Sequence, residues 1–124
     1  MGTGHLTELQ LTVMKALWAV EEGTVSEVLA EMQAAGHPVA PTTAATLLQR
    51  LAKQGWVSHR KNGRHFVYRA QVGKSEAASG ALRRLLRSFF DGRPSALTAQ
   101  LLGSKDISAA ELEEMRRLLD GEEA

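Results

Sequence analysis

Apolar residues recur through the first half of the chain with the period of an α-helix, and a helix-start signal precedes each run. Leu9, Val13 and Leu17, with Met14 and Trp18, stand at i, i+4 spacing and predict one apolar face. Ahead of them, Thr7-Glu8-Leu9-Gln10 has the form of a capping box, in which hydroxyl and amide side chains satisfy each other's backbone N–H. Leu6 and Leu11 flank it as a hydrophobic staple, and Gly23 is expected to break the helix. Thr24-Val25-Ser26-Glu27 repeats the signal. Val25, Val28, Leu29 and Met32 then predict a second helix, with Gly36 as a left-handed stop. The segment His37-Pro38-Val39-Ala40-Pro41 cannot be helical throughout, because each proline pushes the residue before it into extended geometry.

A third helix is expected from Pro41, a residue favoured at the first helical position, to about Gly55. Ala44, Leu47, Leu48 and Leu51 share its inner side. Thr43, Thr46, Arg50 and Lys53 share the other, so small hydroxyls lead and cations follow. Threonine is mildly unfavourable inside a helix, and outward pairs of it suit a helix whose N-terminus enters a DNA groove. Two β-prone runs come next, Trp56 to Lys61 and Arg64 to Arg69, joined by Asn62-Gly63, the strongest short hairpin signal. That turn would set Lys61 opposite Arg64, Arg60 opposite His65 and His59 opposite Phe66. The two histidines would then project from opposite faces, which argues against a metal pair and favours solvent-facing or phosphate-contacting histidines. Like charges facing across strands repel, so a tip carrying Arg60, Lys61 and Arg64 suits an anionic partner. Three helices followed by a basic hairpin read as a winged helix-turn-helix: mainly α, with a small β-hairpin wing.

The pattern changes after Val72, and residues 1–72 and 73–124 are expected to form two domains. Ser75 to Phe90 and Ser95 to Leu102 read as helices, and Ser108-Ala109-Ala110-Glu111 opens a last one in capping-box form. Leu82, Leu85, Leu86, Phe89, Phe90, Leu101, Leu102, Leu112, Met115 and Leu119 give these helices apolar faces that about fifty residues cannot bury alone. They must pack either on the winged helix or on a second copy of the chain; the second copy is the expected partner, so these residues are the candidate dimerisation surface.

Composition narrows the choice. The 124 residues are 44% hydrophobic and contain no cysteine, which excludes disulfides, thiolate metal sites and a cysteine nucleophile. No apolar run reaches membrane-spanning length and Met-Gly-Thr-Gly-His lacks secretory character, so a cytoplasmic protein without membrane contact is expected. The net charge of +1 conceals an uneven distribution. Between Met32 and Ser75 no acid occurs among Arg50, Lys53, Arg60, Lys61, Arg64, Arg69 and Lys74. From Asp106 onward Asp106, Glu111, Glu113, Glu114, Asp120, Glu122 and Glu123 outnumber Arg116 and Arg117. The basic middle points to a polyanion, though a charge run alone is also compatible with a solvated face.

The expected DNA contacts are Pro41, Thr42, Thr43, Ala45, Thr46, Gln49, Arg50, Lys53, Arg60, Lys61 and Arg64, of which Thr42, Thr43, Ala45 and Thr46 lie nearest the bases and Arg50, Arg60, Lys61 and Arg64 meet phosphate. A winged helix serving as a protein-interaction module is the alternative. An enzyme lacks support: scattered histidines and terminal acids form no nucleophile–base or metal set. No metal or other cofactor is expected.

The chain resembles the penicillinase-repressor family (BlaI/MecI/CopY) of winged-helix regulators. The likeness runs from Leu6-Thr7-Glu8-Leu9-Gln10 and Val13-Met14-Lys15-Ala16-Leu17-Trp18 through the stretch from Pro41 to Leu51 and Lys53-Gln54-Gly55. It continues through Asn62-Gly63-Arg64 with Phe66 and Tyr68, into Phe89-Phe90-Asp91-Gly92, Leu101-Leu102 and Ser108-Ala109-Ala110-Glu111-Leu112. The resemblance implies a homodimeric repressor that binds a palindromic double-stranded operator and is released by an inducing signal. Some relatives are cut in the dimerisation region by a sensor-linked protease, which makes a regulatory protease a candidate partner. The matching bond is Gln100–Leu101, where those relatives have Asn and Phe. The copper-responsive mechanism needs a C-terminal cysteine motif and is excluded.

Overall fold

The computed structural model describes Gly2 and residues 4–122. Met1 and Thr3 at the N-terminus, and Glu123 of the acidic end, lie outside the described residues. In chain order the elements are α1 (Glu8–Val20), β1 (Glu22–Gly23), α2 (Val25–Ala34), α3 (Pro41–Lys53), β2 (Val57–Asn62), β3 (His65–Ala70), α4 (Lys74–Phe90), α5 (Pro94–Leu102) and α6 (Ala109–Leu119).

Helix starts follow local chemistry. At α1 the Gln10 amide N–H donates to Thr7 Oγ1 at 3.1 Å and the Thr7 amide donates to Gln10 Oε1 at 3.0 Å. Thr24 and Glu27 form the same reciprocal pair at α2, at 3.2 and 2.9 Å. At α6 the Glu111 amide donates to Ser108 Oγ at 3.1 Å, but among the described residues the return bond is not formed, so the expected box is half made. Gly36 takes φ 85 after α2, as its stop role requires.

Three details differ from what the sequence predicts. First, α1 ends at Val20, before Gly23. Glu21 turns left-handed at φ 70, and Glu22–Gly23 pair with β3 as a strand too short to show a period. Second, Leu9 is 40% exposed while Gln10 is buried, because the Gln10 amide completes the cap and its Nε2 donates to Gln54 Oε1 at 3.2 Å. Third, the hairpin register is shifted. The two-residue turn is Gly63-Arg64, with φ 64 at Gly63 alone, the signature of a II′ turn. Asn62 therefore faces His65, Lys61 faces Phe66, Arg60 faces Val67 and His59 faces Tyr68. Only one turn residue then needs positive φ. His59, Phe66 and Tyr68 remain on one face, because the shift is by two residues, and the His59 ring meets Phe66 at 4.8 Å and Tyr68 at 5.6 Å, edge to face. His59 and His65 lie on opposite faces, as expected.

The antiparallel sheet runs β1-β3-β2. Its inner residues close one core with the first three helices: Val13, Met14, Leu17, Val28, Met32, Leu48 and Leu51 are fully buried, and Trp56, Val57, Tyr68 and Val72 join them. Trp18 Nε1 donates to the Val72 carbonyl at 2.9 Å, tying the exit of the hairpin to α1.

Two compact units divide the chain, residues 1–81 and 82–124. The division falls within α4, whose Ala77 still packs on the first core. In α4, α5 and α6 no residue is buried. Among the described residues no helix is long and apolar enough to cross a membrane.

Candidate nucleic-acid interface

The first unit places a helix end and a cationic hairpin in one structure. In α3, Ala44, Leu47, Leu48 and Leu51 are buried, which turns the opposite side outward. Pro41, Thr42, Thr46, Gln49, Arg50 and Lys53 are exposed on it, and Thr43 and Ala45 are half-buried. The N-cap of α3 is Ala40, which has no side-chain acceptor, and Pro41 occupies the first turn. The first-turn amides of Thr42 and Thr43 therefore lack the hydroxyl partner that α1 and α2 supply, and the positive end of the helix dipole faces outward uncapped. Such an end attracts phosphate or a base-edge acceptor.

His59 extends this surface. Together with Gln49, Ala52 and Lys53 it lines a cavity of about 340 Å³ where α3 meets β2. Its neighbour Phe66 is 46% exposed, an unusual position for a phenylalanine on a cationic hairpin. Phe66 is not among the sequence-expected contacts, whereas His59 is read from the sequence as solvent-facing or phosphate-contacting. The expected register already sets His59 opposite Phe66, and the observed one, displaced by two residues, keeps them on the same face.

The wing cations divide into two groups. Lys61 and Arg64 are exposed and, among the described residues, make no ion pair. Arg60 is engaged: Nη1 and Nη2 donate to Glu22 Oε2 and Oε1 at 3.0 and 3.1 Å. The hydrogen bonds and charge of Arg60 hold the Glu22 carboxyl below its ordinary value, with Arg69 adding to the effect, and Arg60 is raised in turn. Expected repulsion at the tip is thus relieved inside the chain for one of its three cations. Lys61 and Arg64 also do not face each other, since Lys61 pairs with Phe66 and Arg64 sits in the turn.

The second set of expected residues lies in the other unit. Leu82, Leu85, Phe89, Leu101, Leu102, Leu112 and Leu119 are exposed, Phe89 to 77% and Leu119 to 86%, while Leu86, Phe90 and Met115 are half-buried. Leu118, at 64%, belongs with them although it was not among the expected contacts. Among the described residues no group of three or more His, Asp or Glu side chains is placed to hold a metal ion.

Known proteins match this arrangement. A penicillinase repressor of Bacillus licheniformis is 28% identical over 116 residues, covering 94% of this chain and 90% of the relative. The methicillin resistance regulatory protein MecI of Staphylococcus aureus (strain N315) is 24% identical over 118 residues, covering 95% of each. The solution structure of the DNA-binding domain of the repressor BlaI superimposes with a TM-score of 0.53 at 32% identity, over 61% of this chain and 93% of that domain. The fold of the first unit is therefore a winged helix. With the family model for the penicillinase repressor matching residues 6–121, the chain belongs to the penicillinase repressor family.

Proposed function

We propose that this chain is a transcriptional repressor that binds double-stranded operator DNA as a homodimer in the cytoplasm. The observation that carries the reading is the outward face of α3: an uncapped N-terminus, threonines in its first two turns and Arg50 and Lys53 beyond, together with Lys61 and Arg64, which make no ion pair among the described residues. In this reading α3 enters the major groove, and Pro41, Thr42, Thr43, Ala45, Thr46 and Gln49 lie nearest the base edges. Arg50, Lys53, Lys61 and Arg64 neutralise phosphates. His59 sits where it would meet the backbone between the two groups.

The second unit supplies the dimer. Three helices without a buried residue leave their leucines and phenylalanines in water unless another copy covers them. Two-fold pairing suits a palindromic operator with half-sites about one helical turn apart. An inducing signal then releases DNA by separating the copies, and cleavage at Gln100–Leu101 by a regulatory protease is one such route, since both residues are exposed.

Selection of bound genomic fragments would identify the operator, and titration of that duplex at several salt concentrations would test the reading. Four phosphate-neutralising cations per copy predict a slope of log K against log[salt] of about −7 for the dimer. A slope near zero would instead indicate a protein-interaction module.

A further inference from the structure

We propose that Glu22 and Arg60 are positioning residues of the DNA interface: their ion pair straps the wing to the segment between α1 and α2, and Arg60 acts through this strap rather than by touching phosphate. The proposal rests on the DNA-binding reading above.

Sheet order gives the geometry. β3 is the central strand, with β1 on one side and β2 on the other. Glu22 stands opposite Arg69 and Arg60 opposite Val67, so all four residues share one face, and the pair crosses the central strand diagonally. Val67, the residue Arg60 faces, is buried.

The two ends of the strap differ in how firmly they are held. Glu22 follows the left-handed turn at Glu21 and is two residues from the capped start of α2 at Thr24. Gly23 between them is buried, and a Cβ there would lie 3.2 Å from Glu27 Cβ, so this segment is closely packed. Along β2, by contrast, every residue after Val57 is exposed. Beyond its own ladder, the outer half of the wing therefore has few ties to the helical core, and the two-pronged bond from Arg60 is one of them.

The alternative, that Arg60 is a phosphate contact, makes the opposite prediction for Glu22. A carboxylate and a phosphate offer a guanidinium the same two-oxygen edge. If Arg60 served DNA, Glu22 would be its competitor, and removing the carboxylate would free a cation. If the pair is a strap, removing either member loosens the wing and costs affinity.

The test titrates full-length wild type, Glu22→Gln, Arg60→Lys, Arg60→Ala and the double variant Glu22→Gln/Arg60→Ala into a duplex carrying the selected site, over a range of salt. Amide hydrogen exchange of residues 59–68 in the free proteins is followed alongside. The strap predicts that each single variant binds about threefold more weakly, with the salt slope of wild type. Arg60→Lys should fall with Arg60→Ala, because a point charge cannot make the forked bond. The double variant should be no weaker than Arg60→Ala, and wing amides should exchange faster while those of α1 and α3 keep their protection. Tighter binding by Glu22→Gln, a slope shallower by about 0.9 per copy in Arg60→Ala, or wild-type affinity in Arg60→Lys would each overturn it. A wild-type protein without salt-dependent DNA binding would refute the DNA reading itself, and the positioning role with it.

Discussion

Replacing Phe89 with alanine should split the dimer while leaving the winged helix intact. Phe89 lies near the end of α4 in the second unit and is 77% exposed in the single chain. Fully burying a phenylalanine is worth roughly 1.5–3 kcal/mol. Covering the exposed three-quarters would therefore contribute about 1–2 kcal/mol per copy. A two-fold interface uses the residue twice, so the substitution removes about 2–4 kcal/mol and raises the dimer dissociation constant roughly 30- to 700-fold. Sedimentation velocity over a concentration series reads this directly. The thermal transition of the first unit should not move, since none of its core residues belongs to the second. Operator affinity should fall as well, because two tethered half-site contacts outbind one by about 10²–10⁴. A dimer constant within about threefold of wild type would refute the assignment of this face. So would a variant that becomes monomeric yet keeps full operator affinity.

Further outcomes concern the first unit. Arg64→Ala should weaken binding to specific and random duplexes alike and reduce the salt slope by about 0.9 per copy; unchanged non-specific affinity at low salt would remove Arg64 from the interface. Thr46→Ala should instead alter discrimination among operator variants, by roughly 1–3 kcal/mol per disturbed base pair, read by competition titration. Leu48→Ala, at a fully buried position of α3, should destabilise the fold by about 2–5 kcal/mol in urea unfolding monitored at Trp18 and Trp56. Because Arg60 holds the Glu22 carboxyl below its ordinary value, the contribution of the pair is present above the ordinary glutamate range (about 4.3) and lost as pH falls through the lower folded value. Wing amide protection that changes between pH 8 and pH 5 (about one to four units above that window) would contradict this.

The helices and their inward faces are legible in the residues themselves. A Thr seven positions into the chain with Gln three beyond it, or Pro41 ahead of Ala44, Leu47, Leu48 and Leu51, acts within one or two turns, and no distant residue is needed to make it work. The outward threonines and cations of α3 follow from the same local periodicity, so the heart of the candidate interface is written in the order of its residues. What required tertiary structure depends on residues far apart in sequence. β1 exists only because β3 offers it a free edge, and two residues carry no period of their own. Gln10 turns inward because Gln54 waits for it 44 positions away. The hairpin is visible in Asn62-Gly63, yet its register is not, because Gly63 can serve either of two turn types, and the two place the side chains of β2 opposite different partners. The fate of Arg60 is hidden for the same reason. Its charge is local and obvious, but the carboxylate that takes it lies 38 positions earlier and is brought within 3.0 Å only when the central strand has been laid between them.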